Sequence, residues 1–80
     1  MCVVRSNAFK RQFTKAPADV KRSAHKALRL LATNLQHPSL RAKIIDETRR
    51  ICQARVSQSW RIYFRIEHDA FILLVLRRHK

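Results

Sequence analysis

The sequence predicts an α+β domain in which helices come first and strands last, on three observations. From Val20 to Leu35 the apolar positions Val20, Ala24, Ala27, Leu28, Leu31 and Leu35 fall at helical spacings. From Ile51 onward the apolar period changes to two. Cys52, Ala54 and Val56 alternate with Gln53 and Arg55, and Trp60, Ile62, Phe64 and Ile66 alternate with Arg61, Tyr63 and Arg65. The last run, Ala70 to Leu76, is apolar on both faces, the pattern of a strand covered on both sides. Elements segregated in this way give helices packed on one face of a twisted antiparallel sheet. Eighty residues, 46% of them apolar, make one domain spanning 1–80 and argue against disorder.

In chain order, "CVVR" is a short extended start. Phe9 and Phe13, four apart, give "SNAFKRQFTKA" a narrow apolar stripe and a short helix that Ser6 or Asn7 can cap. Pro17 is suited to the first position of a second helix, and Asp19 complements the positive end of that helix's dipole. Lys21, Arg22, Lys26 and Arg29 take its polar side, and the helix must end before Pro38. "HPSLRAKIIDETRR" reads as a long connection anchored by Leu40 and Ile44. Neither it nor the rest of the chain contains glycine.

A three-residue hairpin loop at Ser57 to Ser59 sets Val56 opposite Trp60, Ala54 opposite Ile62 and Cys52 opposite Phe64, all toward the helices. On the reverse face Arg55 then meets Arg61, and Gln53 meets Tyr63. A two-residue turn at His68 and Asp69 would bring Arg61 beside Leu76, with Arg78 just beyond on the same face.

The charge balance is extreme: 18 Lys and Arg against five acids, a formal net charge of +13. Self-repulsion at that charge points to a polyanion or an acidic protein as partner. A membrane span is excluded, because Ala70 to Leu76 falls far short of the roughly 20 apolar residues required. "MCVVR" reaches Arg5 before a signal-peptide core could form, so a cytoplasmic location is expected. Cys2 and Cys52 form no CxxC pair and read as reduced, buried thiols. His25, His37, His68 and His79 lack ligand spacing, so no metal and no cofactor is expected.

Like charges directly opposite on a sheet destabilise it by about 0.2–1 kcal/mol per pair. An idle solvated face would alternate signs, whereas Arg55, Arg61, Arg65 and Arg78 are expected to share a face without an acid. A basic surface of no further use is the plainer account. Phosphate binding is favoured over it, because arginine's planar fork matches phosphate. Tyr63, among the arginines, offers a ring on which a base can stack. On this reading, replacing Arg61 relieves repulsion, so stability should hold or rise.

The stretches "HPSL", "ARVSQSWRIYFRIEHD" and "RRHK" together resemble the RelE/ParE superfamily of bacterial toxins. The resemblance runs from about His37 to His79. It implies a β-α-α-β-β-β fold, a type II toxin–antitoxin setting with an acidic antitoxin as partner, and ribosome-dependent, metal-independent cleavage of mRNA. By position, Arg61 in "WRIYF" matches the family's phosphate-contacting arginine. Arg55 approximates the basic residue of the preceding strand, and His79 or Arg78 the basic residue after the last strand. The resemblance thus implies Arg61, Arg55 and His79 as catalytic, and together with the reading of the arginine face it sets Arg55, Arg61, Tyr63, Arg65 and Arg78 on the RNA. His79 and Tyr63 are the candidates for proton transfer. Family members commonly carry a tyrosine in a tail beyond this point, whereas this sequence ends at Lys80. Two further readings therefore stand beside the nuclease: a ParE-like toxin directed at DNA gyrase, and a catalytically silent module that binds RNA or an acidic protein. The sequence leaves the oligomeric state open.

Overall fold

The computed structural model describes residues 2–79. The chain runs β1 (Cys2–Arg5), α1 (Asn7–Lys15), α2 (Ala18–Thr33), a 3-10 turn (Pro38–Leu40), β2 (Lys43–Asp46), β3 (Ile51–Arg55), β4 (Trp60–Glu67) and β5 (Ala70–Arg78). The strands form one five-stranded sheet in the order β1-β5-β4-β3-β2. The α+β class holds, with two corrections to the expected sheet. It is mixed rather than antiparallel, because β1 pairs in parallel with β5, from Cys2 beside Ala70 to Arg5 beside Leu73. It also gains an edge strand, β2, from the segment expected to be a connection.

Both helices form where the sequence places their apolar stripes. Ser6 caps α1, its hydroxyl accepting the Phe9 N–H at 3.0 Å. Pro17 stands just outside α2 rather than inside it, Asp19 lies in the first turn, and the helix stops at Thr33, short of Leu35. The buried residues Phe9, Val20, Ala27, Leu28 and Leu31 of the helices join Leu40, Ile62, Phe64, Phe71, Leu73 and Leu76 in one core. Burial of each large side chain there contributes about 1.5–3 kcal/mol. Leu40 anchors the connection as expected. Ile44 does not: it is 60% exposed on the edge strand. Cys52 is buried, and burial pushes its thiol pKa up. Cys2 corrects the other thiol expectation, being exposed on edge strand β1.

The β3–β4 pairing follows the expected register in full, with Arg55 opposite Arg61, Gln53 opposite Tyr63, Ala54 opposite Ile62 and Cys52 opposite Phe64. The β4–β5 pairing does not. It begins as expected at the His68–Asp69 turn, with Glu67 opposite Ala70. Phe64 then pairs with Leu73 but Tyr63 with Val75, so Leu74 is an extra residue in a bulge. Beyond the bulge every side chain of β5 is displaced by one position. Arg61 meets Arg77 instead of Leu76, and Arg78 pairs with Trp60.

The bulge coincides with the place where β5 loses its parallel neighbour. β1 ends at Arg5, and α1 takes over from there. The Ser6 hydroxyl donates to the Leu74 carbonyl at 2.8 Å, and the Gln12 Oε1 accepts the Leu76 N–H at 2.7 Å. Two backbone groups that the sheet leaves unpaired are thus met by helix side chains, as buried polar groups require.

Candidate nucleic-acid interface

The sheet face turned away from the helices carries the charged residues in rows across the strands. One row is Arg55–Arg61–Arg77, the next is Lys43–Gln53–Tyr63–Val75, and a third is Ile51–Arg65–Ile72–Val4. Alternating faces on β3 and β4 produce the first two members, and the bulge delivers Arg77. Rows lie about 7 Å apart, from a rise of about 3.3 Å per residue. Arginines at the first row and at Arg65 therefore bracket Tyr63.

The like-charged row is reconciled by backbone carbonyls. Arg61 Nη1 donates to the carbonyls of Ser57 at 2.7 Å, Trp60 at 3.0 Å and Gln58 at 3.3 Å. Arg55 Nε donates to the same Ser57 carbonyl at 3.4 Å. A shared acceptor between two guanidinium groups offsets part of their repulsion. Arg77 is exposed, and its guanidinium carbon lies 5.9 Å from the centre of the Tyr63 ring, a cation–π contact.

Of the residues named from the sequence, Arg55, Arg61, Tyr63 and Arg65 lie on this face. Arg65 is paired with Glu67 at 2.8 Å, which corrects the expectation of a face without acids at that end. Arg78 registers with Trp60, on the helix-side parity of the strand, and so leaves the row it was expected to join. Arg77 stands there instead. It escaped the sequence reading because a strand with seven successive apolar residues, Ala70 to Leu76, has no alternation whose break would disclose a bulge. His79 follows β5 at the same end of the sheet as Arg61. Its backbone N–H is bonded to the Ser59 carbonyl, and it lines a hollow of about 510 Å³ with Gln58, Ser59 and Arg78. Among the described residues no group of three or more His, Cys, Asp or Glu side chains could hold a metal ion. Nor is any helix long and apolar enough to cross a membrane.

The fold is similar to that of several solved toxins. Over the whole of both chains it superposes on a YoeB/ParE toxin from Agrobacterium tumefaciens with a TM-score of 0.82, at 10% sequence identity. YafQ from E. coli gives a TM-score of 0.79 at 14% identity, over 95% of this chain and 90% of that one. The RelBE2 toxin–antitoxin complex from Mycobacterium tuberculosis gives 0.65 at 22% identity, over 99% and 96%. No protein-family model matches the sequence, and no curated protein does. The similarity is therefore one of fold, carried with few shared residues.

Proposed function

We propose that this protein is a RelE-like toxin of a type II toxin–antitoxin pair that inhibits translation by cleaving mRNA in the ribosome. The observation that carries the reading is the Arg55–Arg61–Arg77 row, three arginines without an acid on an open sheet face beside Tyr63. The chemistry that suits it is transphosphorylation within the RNA. A 2′-OH attacks the adjacent phosphorus and gives its proton to a base. The P–O5′ bond breaks, the leaving oxygen takes up a proton, and a 2′,3′-cyclic phosphate and a 5′-OH result. The arginines stabilise the charge that builds on the phosphorane, which usually contributes most to catalysis of this kind. Arg61 and Arg55 supply that stabilisation, with Arg77 in the place first expected of Arg78. His79, held at the same end of the sheet by the Ser59 carbonyl, moves the protons as general base and acid.

The partner is an acidic antitoxin, and the setting is the cytoplasm. The net charge of +13 supports such a partner, as does the existence of a toxin–antitoxin complex among the structures of like fold. Association of this kind is fast and weakened by salt. The deciding experiment follows cleavage of ribosome-bound message by wild type, Arg61→Ala and His79→Gln. Wild type should cleave, Arg61→Ala should not, and His79→Gln should lose about 10²-fold or more. Absence of wild-type cleavage together with inhibition of gyrase would transfer the protein to the ParE-like class. RNA binding without cleavage would make it a silent binding module.

A further inference from the structure

The loop between β3 and β4, Ser57 to Ser59, has no charged side chain, yet it touches three of the residues assigned above. Its carbonyls take three hydrogen bonds from the two arginines: Ser57 accepts from Arg61 and from Arg55, and Gln58 accepts from Arg61. Its third carbonyl, that of Ser59, accepts the backbone N–H of His79. A guanidinium presents its five N–H donors in a fixed planar fork. Side-on pairing with phosphate uses the edge formed by Nε and Nη2, in two parallel N–H···O bonds. In Arg61 it is Nη1, on the other edge, that is held by the three carbonyls of Ser57, Gln58 and Trp60. The Nε–Nη2 edge meets no acceptor among the described residues.

We propose that the β3–β4 loop is a positioning device. Its carbonyls fix Arg61 by Nη1 so that the Nε–Nη2 edge is turned to a phosphate, and through Ser59 the same loop seats His79 at that end of the sheet. The inference rests on reading Arg61 as a phosphate ligand. A donor held beforehand by the fold need not reorganise when charge arrives. The loop therefore contributes to the site through its backbone alone, and its side chains can vary without loss.

The test replaces Ser57–Gln58–Ser59 with a two-residue Asn-Gly turn. That turn keeps Val56 opposite Trp60 and leaves the side chains of Arg61 and His79 untouched. Inorganic phosphate is titrated into the full chain while the Arg61 Nε–H resonance is followed by NMR, and a short single-stranded RNA is titrated in parallel. The exchanged loop should weaken phosphate binding about tenfold. Read by RNA affinity, Arg61→Ala should then cost less in the exchanged loop than in the natural one, because the two changes disrupt one device. Additive losses, or phosphate binding unchanged by the loop exchange, would overturn the proposal, as would failure of wild type to bind phosphate at Arg61. If the exchanged loop prevents folding, Arg61→Ala in the natural loop decides the matter. The amide of His79 should then exchange faster with solvent, and unchanged exchange refutes the link. A phosphate response at Arg61 without any RNA binding would sink the RNA reading alone and leave the positioning role standing.

Discussion

The side chain of Gln12 closes a gap in the sheet, and removing it tests how this fold is held together. β1 ends beside Leu73, so the Leu76 N–H on β5 has no strand to pair with and meets Gln12 Oε1 at 2.7 Å instead. Gln12→Ala leaves that donor without a partner, at a cost of about 1–3 kcal/mol. The bond is only partly buried, which favours the lower half of the range, and alanine's better helix propensity returns a few tenths. A net loss of about 1 kcal/mol results, against a total stability of about 4–12 kcal/mol for a chain of this length. Thermal unfolding followed by circular dichroism should show Tm falling by about 4–8 °C. Amide exchange should localise the loss to Leu76 and its neighbours. Gln12→Glu keeps an acceptor and adds a negative charge to a chain of net +13, so its Tm should equal or exceed wild type. An unchanged Tm and unchanged Leu76 exchange in Gln12→Ala would refute the claim that α1 completes the sheet.

Phe64→Ala and Leu31→Ala remove fully buried side chains from one core, so each should cost about 2–5 kcal/mol in urea unfolding; a loss below about 1 kcal/mol would contradict the packing. Arg61→Ala should lower Tm by a few degrees, because the lost carbonyl contacts outweigh relief of the like-charged pairs at about 0.2–1 kcal/mol each. A rise in Tm would restore the view that repulsion dominates the row. Alkylation at pH 8 should label Cys2 well before Cys52, which is buried and whose thiol is pushed up by desolvation. Because burial raises the folded pKa of Cys52, its contribution to stability is complete below the ordinary thiol range and is lost as pH rises through the folded value. Cys52→Ala should flatten that alkaline decline, and an identical decline in the variant would remove Cys52 as its cause.

What the sequence disclosed and what it hid divide along physical lines. The α2 stripe, the Ser6 cap and the β3–β4 register were legible because each is set by local spacing and a short loop. Strand β2 was not: Ile44 and Ile45 are adjacent and both exposed, so "KIID" has no buried face to impose a period of two. The parallel pairing of β1 was invisible because four residues carry no mark of a partner so distant in the sequence. In the site, Arg55, Arg61 and Tyr63 followed from alternation, whereas Arg77 depended on the bulge at Leu74. The sign expected for the stability effect at Arg61 changes for a related reason. Residue types announce charge, but the carbonyls that absorb it belong to the backbone. The lack of glycine has a cost that the sequence also concealed. Arg41, Arg50 and His68 occupy left-handed conformations at φ 45°, 56° and 53°, where glycine would be easier.

The placement of β5 between β1 and β4 bears on how the chain comes to exist at all. During synthesis the first strand emerges early, but its only neighbour in the sheet lies some 68 residues later, Cys2 waiting for Ala70. Until then the apolar stripes of α1 and α2 have only part of their floor. Contacts of such long separation come at the cost of closing a large loop and slow the search for the native state. A growing polypeptide therefore cannot complete this sheet in instalments. Its arginine row, begun by Arg55 and Arg61 on the β3–β4 hairpin, is completed only when β5 brings Arg77 between β1 and β4.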